Sequence, residues 1–282
     1  MAAPTARSAR ELFADLASRR DADLGAADLE LGAILIAAEE YPELDLAAVF
    51  RALDQLGERA SERLAGEPEG AARVERLNRF LFGEEGFAGA SEYYDPRNSY
   101  LNEVLARRCG IPITLALVYI AVARRAGIDA RGISFPGHFL VRCAGREEGI
   151  VDAFHGRTIS LEECEARLAS ALGPGTELRP EVHLRDASAR EILVRMLANL
   201  QRIFAGSGDS ERLLACCDRI VLLTTADPIA LRDRALVYQR LGWFAAAIAD
   251  LEAALERASD AGLAEALARL RDALRARLGR LH

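Results

Sequence analysis

Lysine is absent from this chain of 282 residues, so all 36 of its basic residues are arginine, against 43 acidic residues. Together with abundant alanine, this usage indicates a bias towards G+C-rich codons rather than a function. The net charge of −7 argues against a nucleic-acid-binding protein, whose surface would need a strong positive field. We therefore expect no nucleic-acid partner.

Metal-site spacing is also lacking, because the five cysteines form no CxxC pair and no Cys/His zinc pattern. Their odd number disfavours a fully paired disulfide framework, and a reducing cytoplasm fits such usage best. No stretch approaches twenty uncharged apolar residues, and the first residues lack the basic start and apolar core of a secretion signal. The expectation is a cytoplasmic protein that does not enter a membrane.

The most informative part of the chain contains a strongly apolar helix. Residues Ile113 to Ala126 are apolar almost all round, which predicts a helix buried on most sides. Pro112 suits the first helical turn, and Gly127 suits a left-handed stop. Thr114 is a spare hydroxyl near the helix start, and its β-branched side chain fits a first-turn or capping role.

Two β-type runs follow this helix and predict a hairpin. They are His138 to Arg142 and Ile150 to Ala153, on either side of a turn-prone segment. A five-residue loop, Cys143 to Glu147, would place His138 opposite Asp152. Directly opposed side chains have Cβ atoms about 5 Å apart, close enough for a carboxylate to hold an imidazole. A slip of one residue would separate the two groups.

These segments resemble a known family. The runs GFAGASEYYDPRNSYLNEVLARRCGIPITLALVY, GISFPGHFLVR and VDAF are similar to the transglutaminase-like family, of the type found in the N-terminal part of an invasion-gene regulator from enteric bacteria. Members are often followed by tetratricopeptide repeats. The resemblance implies an α+β fold with a papain-like core and a small antiparallel sheet, followed by an all-α repeat domain.

The resemblance covers nearly the whole chain and suggests its domain boundaries. We predict a partly frayed N-terminal segment at 1–28, a transglutaminase-like domain at 29–185 and a tetratricopeptide-repeat domain at 186–282. Helical periodicity in the first quarter predicts helices at Leu29–Glu40, Leu46–Leu56 and Val74–Phe82, the first ended by Tyr41-Pro42. We expect these helices to cover the core.

The wider superfamily uses a Cys-His-Asp arrangement, and the resemblance matches its histidine and aspartate to this sequence but not its cysteine. Its cysteine sits at a helix N-terminus, where the helix dipole and an imidazolium lower the thiol pKa. By resemblance, His138 and Asp152 are the histidine and the aspartate. The position of the cysteine, counted back from Gly127, falls on Pro112, which is no nucleophile. Cys109 lies three residues upstream of it.

Three interpretations of this arrangement stay open. In the favoured one, His138 and Asp152 form a hydrogen-bonded structural pair in a non-catalytic scaffold, and Cys109 is a small loop residue. In the alternative, a thiol-dependent hydrolase or acyl transferase acts on an amide bond: Cys109 attacks, His138 moves the proton and Asp152 holds the ring. A metal set of His138, Asp152 and His155 ranks third, because three ligands on one hairpin carry little weight. We expect no metal and no cofactor.

Four further residues are expected to line the cleft around this pair, namely Tyr93, Tyr94, Asn98 and Asn102. A helix predicted from Ser99 to Arg108 places Asn98 at its N-cap, where satisfying backbone groups is the favoured role. The family usually has an asparagine at Ala90 and another at the position of His155. These two departures alter the predicted shape of the pocket.

The C-terminal third contains an internal repeat of thirty-four residues, the tetratricopeptide period. Residues that recur at this interval include the pairs Gly208/Gly242, Leu197/Leu231, Phe204/Tyr238, Leu214/Ile248 and Cys217/Leu251. Ala261 to Leu281 is predicted to be a capping helix. Such repeats usually hold a protein or peptide partner, but two units are few, so packing on the preceding domain is an equal alternative. The overall expectation is an interaction or regulatory protein.

Overall fold

The computed structural model describes residues 7–143 and 149–280. Thirteen α-helices lie in these residues, α1 to α13: Ala9–Ser18, Ala26–Glu40, Leu46–Leu64, Ala71–Asn78, Leu101–Arg107, Pro112–Arg125, Leu161–Leu172, Pro180–His183, Ala189–Ser207, Ser210–Leu223, Pro228–Arg240, Phe244–Arg257 and Ala261–Leu278. Six β-strands, β1 to β6, are Ala88–Gly89, Cys109–Gly110, Ala130–Ile133, Leu140–Cys143, Gly149–Asp152 and Arg157–Ile159.

Two compact units make up the chain. The first contains Met1–Leu12 and Arg20–Met196, and the second contains Phe13–Arg19 and Leu197–His282. The N-terminal segment that we predicted to be partly frayed contains helix α1 from Ala9, and its first six residues lie outside the described part. None of the described helices is both long and apolar enough to cross a bilayer.

Helix α6 is the central buried helix of the first unit, as its composition predicts. Every residue from Pro112 to Ala123 is buried. The helix begins with Pro112 in its first turn, and the chain leaves it through Gly127 at φ 77°. Helix α3 packs along α6. The close approach depends on Gly57, because a Cβ there would lie 2.4 Å from Cβ of Arg125.

The small antiparallel sheet is confirmed, with strand order β3-β4-β5-β6. One of its faces packs against α7 through a cluster of buried apolar side chains: Ile133, Phe135, Leu140, Ile150, Ile159, Cys164, Leu168 and Leu184. A separate parallel pair joins β1 to β2, with Gly89 beside Gly110.

The predicted register of the β4–β5 hairpin is wrong by two residues. Ile150 pairs with Arg142 and Cys143 with Gly149, whereas we expected Ile150 opposite Leu140. Cys143 therefore belongs to the strand, and the rest of the predicted loop, 144–147, lies outside the described residues, as does residue 148. His138 is also not part of the strand but sits in a turn before it. Side chains alternate with a period of two, so a shift of two residues leaves every strand residue on its predicted face.

The helix predicted from Ser99 starts later. Residues Pro96–Ser99 form a 3₁₀ turn that Asp95 caps by accepting from the backbone N–H of Arg97 at 2.9 Å, and α5 begins at Leu101. Asn98 lies inside the turn, so it is not the N-cap of α5, a position that Tyr100 takes. The predicted helix at Val74–Phe82 is shorter as an α-helix, because a π-helical turn follows α4 at Arg79–Glu84.

The second unit has the predicted repeat of helix pairs. Gly208 ends α9 and Gly242 ends α11, both with positive φ, 79° and 77°. Space around both positions is open, so the left-handed backbone conformation is what favours glycine there. Helices α11 and α12 pack against each other, and the small residues Ala235 of α11 and Ala247 of α12 are fully buried. Helix α13 ends at Leu278 and occupies the place predicted for the capping helix.

Candidate functional site

Asp152, the last residue of β5, is fully buried and lies against His138. Its Oδ1 atom is 2.9 Å from Nε2 of His138. The histidine stands in the turn after β3, where its backbone N–H donates to the carbonyl of Phe135 at 3.1 Å. The imidazole and the carboxylate that we predicted to meet are therefore in contact, although not as cross-strand partners.

Four further donors surround the same carboxylate. The backbone N–H groups of Phe154 and His155 donate to Oδ1 at 3.1 and 3.2 Å. Nδ1 of His155 lies 2.7 Å from Oδ2, and Nη2 of Arg167 lies 2.6 Å from the same oxygen. An ionised carboxylate offers about four lone-pair positions, so Asp152 is fully engaged by its neighbours.

These contacts set the charge of Asp152. Burial raises the pKa of its carboxyl, but the hydrogen bond and charge of His138, the hydrogen bond from His155 and the charge of Arg167 outweigh burial. The net pKa lies well below its ordinary range. Because the carboxylate can only accept, Nε2 of His138 and Nδ1 of His155 carry the hydrogens that face it.

Arg195 fixes the turn that presents His138. Its guanidinium donates to the carbonyl of His138 at 2.6 Å, to the carbonyl of Phe135 at 3.1 Å and to the hydroxyl of Ser134 at 2.8 Å. It also lies over the ring of Phe139. Sequence reasoning missed both Arg195 and Arg167, because nothing in their local sequence separates them from the other arginines.

The tip of α6 offers no free nucleophile in its first turn. Pro112 occupies the first helical position. The hydroxyl of Thr114 donates to the carbonyl of Asn98 at 2.7 Å and accepts from the backbone N–H of Ile111 at 3.1 Å. Thr114 is fully buried and caps the helix start, so its oxygen is committed to backbone partners.

Cys109 is half-buried in β2, where it pairs with Ala88. A Cβ on the next residue of β1, Gly89, would lie 2.7 Å from the ring of Phe154. That ring stands edge-on to His138, with ring centroids 6.2 Å apart. Because successive strand residues point to opposite faces, Cys109 is directed away from the face that Phe154 covers.

The other cysteines of the first unit are poor nucleophiles. Burial raises the pKa of Cys143 and of Cys164 to about 11 each. The sulfur of Cys143 also lies 3.8 Å from the hydroxyl of Tyr119. Both thiols are therefore protonated at neutral pH, and neither has thiolate character.

The four residues predicted to line the cleft lie in different environments. Tyr93 and Tyr94 are exposed and form an edge-on pair with centroids 5.5 Å apart. Asn98 is buried, donates to the carbonyl of Glu92 and accepts from Arg107. Asn102 lines a groove of about 380 Å³ between α3 and α5.

His138, Asp152 and His155 could also hold a metal ion. Each offers one ligand atom, and these three atoms all lie within 4.8 Å of one another. His155 comes from the turn after β5 and is half exposed, with 49% of its side chain accessible.

Comparison with known proteins gives matches along most of the chain. A model of the transglutaminase-like superfamily matches residues 47–198, and one of the tetratricopeptide repeat matches 200–272. A UPF0162 protein of Xylella fastidiosa is 43% identical over 235 residues, covering 79% of this chain and 82% of that protein. Protein SirB1 of Salmonella typhimurium is 25% identical over 236 residues, covering 82% and 87%. F-box only protein 21 of Mus musculus is 36% identical over 138 residues, covering 45% and 21%.

Proposed function

The chain belongs to the transglutaminase-like superfamily and continues into tetratricopeptide repeats, and on that basis we propose that it acts as a non-catalytic interaction or regulatory protein. In this proposal the transglutaminase-like part is a scaffold that has lost its thiol nucleophile. The repeats hold a protein or peptide partner.

The observation that carries the proposal is the composition of the first turn of α6, which holds no cysteine. A thiol enzyme of this type needs its cysteine at the N-terminus of the buried helix, within reach of the imidazole. Pro112 and the backbone-bonded Thr114 fill that tip. Cys109, the nearest thiol in sequence, is directed away from the face that carries Phe154. The His138–Asp152 pair then has a structural use, because it joins the turn after β3 to the end of β5.

A groove within the second unit supports partner binding. It has a volume of about 380 Å³, and its lining is mostly apolar: Ala198, Gln201, Arg202, Ala205, Leu213, Asp233, Leu236, Val237 and Arg240. Leu236 leaves 40% of its surface exposed in this groove. Tetratricopeptide repeats generally mediate protein–protein contacts through such concave surfaces, and an exposed leucine gives a partner an apolar anchor.

The similarity to the mouse F-box only protein 21 supports the proposal, because it shows a related region within a longer and different protein. The similar region makes up only 21% of that protein, so it occurs there as one part of a longer chain. A domain that recurs in different contexts is suited to assembly with partners.

Thiol reactivity tests the non-catalytic part of the proposal. The full chain would be treated with a limiting amount of chloroacetamide, and labelling of each cysteine would be followed by mass spectrometry. We expect Cys109 to react no faster than a free cysteine of an unfolded peptide, and His138→Ala to leave its rate unchanged. Fast, selective labelling of Cys109 that His138→Ala abolishes would overturn the proposal. That result would instead support a thiol-dependent hydrolase or acyl transferase, which the His138–Asp152 contact alone favours.

Capture experiments test the partner-binding part. The full chain, its Leu236→Glu variant and the matched control Leu222→Glu would each be immobilised and exposed to the same cell lysate. The proteins that each one retains would then be compared. Leu222 is also an exposed leucine of the repeat helices, at 44%, but it is not part of the groove lining. We expect a partner that Leu236→Glu loses and Leu222→Glu retains. Equal retention by all three proteins would contradict a role for this groove.

A further inference from the structure

We propose that His138, Asp152 and His155 form a binding site for one divalent transition-metal ion, with Zn²⁺ as the reference ion. This inference goes beyond the proposed function, since a metal could sit in an interaction protein as well as in an enzyme. Sequence analysis ranked this set third, because three ligands on one hairpin carry little weight by themselves. In the structure the three ligand atoms do converge, within 4.8 Å of one another.

The spacing of the donors suits a first-row metal ion. Nε2 of His138 and Nδ1 of His155 approach opposite oxygens of Asp152, at 2.9 and 2.7 Å. In a tetrahedral zinc site with bonds of about 2.0–2.2 Å, neighbouring ligand atoms lie roughly 3.3–3.6 Å apart. Each nitrogen would therefore withdraw from the carboxylate by about half an ångström, and the three ligand atoms, which lie within 4.8 Å of one another, would close around the ion. A small rotation of the more exposed His155 ring would supply this adjustment.

Metal binding requires a lone pair on the ring nitrogen that now faces the carboxylate. Nε2 of His138 and Nδ1 of His155 would each present one once the hydrogen on that nitrogen is released to solvent or is carried by the other nitrogen of the ring. The ion then takes the carboxylate position that the two rings have left. Arg167 keeps its contact with Oδ2, and the backbone N–H of Phe154 keeps its contact with Oδ1. These remaining donors hold the carboxylate in place, as outer partners of metal ligands commonly do.

Donor chemistry and access set the class of ion. Two imidazoles and one carboxylate suit Zn²⁺, Co²⁺, Ni²⁺ or Fe²⁺ better than Ca²⁺ or Mg²⁺, which prefer oxygen ligands. His155 opens the site to solvent, while His138 is mostly buried, with 12% of its side chain exposed. The positive charge of Arg167 opposes the ion, so the affinity should be below that of a structural zinc site.

Titration of the full chain with Zn²⁺ at pH 7.5, without a polyhistidine tag, tests the site. We expect one equivalent to bind by calorimetry. His155→Asn, which can still donate to Asp152, should weaken binding on the order of 100-fold or more, since even outer partners of a metal site contribute 10–100-fold. His183→Asn is the matched control. The ring of His183 lies in α8 and accepts from the backbone N–H of Arg179 at 3.0 Å, so its loss should leave the affinity unchanged.

Two spectroscopic readouts do not depend on a variant's folding. Histidine-ring NMR signals of His138 and His155 should shift with one equivalent of Zn²⁺, while those of His183 stay in place. The Co²⁺ complex should show visible d–d bands without a sulfur-to-cobalt charge-transfer band. The proposal is overturned by a lack of saturable binding, by equal affinity in His155→Asn, or by a cysteine signature in the Co²⁺ spectrum.

Discussion

Nε2 of His138 lies 2.9 Å from Oδ1 of Asp152, although the two residues are not paired across the hairpin. The histidine reaches the carboxylate from a turn that precedes β4. The guanidinium of Arg195 holds that turn by donating to the carbonyl groups of His138 and Phe135. The contact is therefore built from three separate parts of the chain. The donors from those parts surround the carboxylate, so they determine both how much the contact stabilises the fold and the charge that Asp152 carries.

Replacement of Asp152 by alanine should destabilise the first unit by about 3–5 kcal/mol. The change removes a fully buried carboxylate and leaves two imidazoles, a guanidinium and two backbone N–H groups without their shared acceptor. Asp152→Asn keeps one acceptor oxygen and should lose less. Urea unfolding followed by circular dichroism measures both changes. A free energy of unfolding that is unchanged in Asp152→Ala would contradict the structural role.

Stability should depend on pH through the same carboxyl. Its folded pKa lies below the ordinary value of 3.8, so its contribution is present at neutral pH and is lost as the pH falls below about 4 towards the depressed folded pKa. The difference in unfolding free energy between the natural chain and Asp152→Asn should therefore persist at pH 5 and shrink as the solution is acidified further. A difference that stays constant down to pH 2.5 would show that the ionised form is not preferred in the fold.

Thr114→Val should cost about 1–3 kcal/mol. Valine preserves the shape but removes the hydroxyl that serves the carbonyl of Asn98 and the backbone N–H of Ile111, and both groups would be left without this partner in a buried place. Thr114→Ser retains the hydroxyl and serves as the matched control, with a smaller loss from the missing methyl group. Thermal unfolding of the three proteins compares them. Equal losses for valine and serine would assign the effect to packing rather than to capping.

Gly89→Ala should destabilise the fold by about 1–3 kcal/mol, because the added methyl would lie 2.7 Å from the ring of Phe154. Gly83→Ala is the control, since nothing lies within 4 Å of a Cβ there. Combining Gly89→Ala with Phe154→Leu should recover part of the loss, and a double-mutant cycle measures that coupling. Additive losses would show that the two residues do not oppose each other.

Local patterns predict the elements of this fold well. The buried helix α6 follows from an apolar run between Pro112 and Gly127, and the repeat helices follow from a period of thirty-four residues that sets Gly208 and Gly242 in the same left-handed turn. Within each element, proline, glycine and side-chain periodicity act directly on the nearby backbone, so these signals can be recognised without knowledge of the tertiary structure. The hairpin spacing predicted that His138 meets Asp152, and the family resemblance assigned the histidine and the aspartate of the superfamily to the same two residues.

The hairpin register is a feature that local sequence patterns did not predict correctly. Alternation of side chains specifies the face of a strand residue but not its partner, so a shift of two residues satisfies the same pattern. Our assignment of five loop residues chose the wrong partner for Ile150 for this reason. The 3₁₀ turn at Pro96–Ser99 was missed in a similar way, because Asp95 rather than Asn98 supplies the cap.

What the sequence alone determined about this protein is therefore its list of elements, its repeat and the chemical groups that its strands and turns carry. The tertiary structure decided which of thirty-six arginines serve the site, selecting Arg167 from α7 and Arg195 from α9. It also decided that Cys109 is directed to the face of its short strand pair opposite Phe154. His155 and His138 both contact the carboxylate of Asp152, which is likewise a result of the tertiary structure. A hydrogen bond requires two atoms to meet within about 3 Å, and for residues fifteen to fifty-seven positions apart only the packing of whole elements can fix that distance.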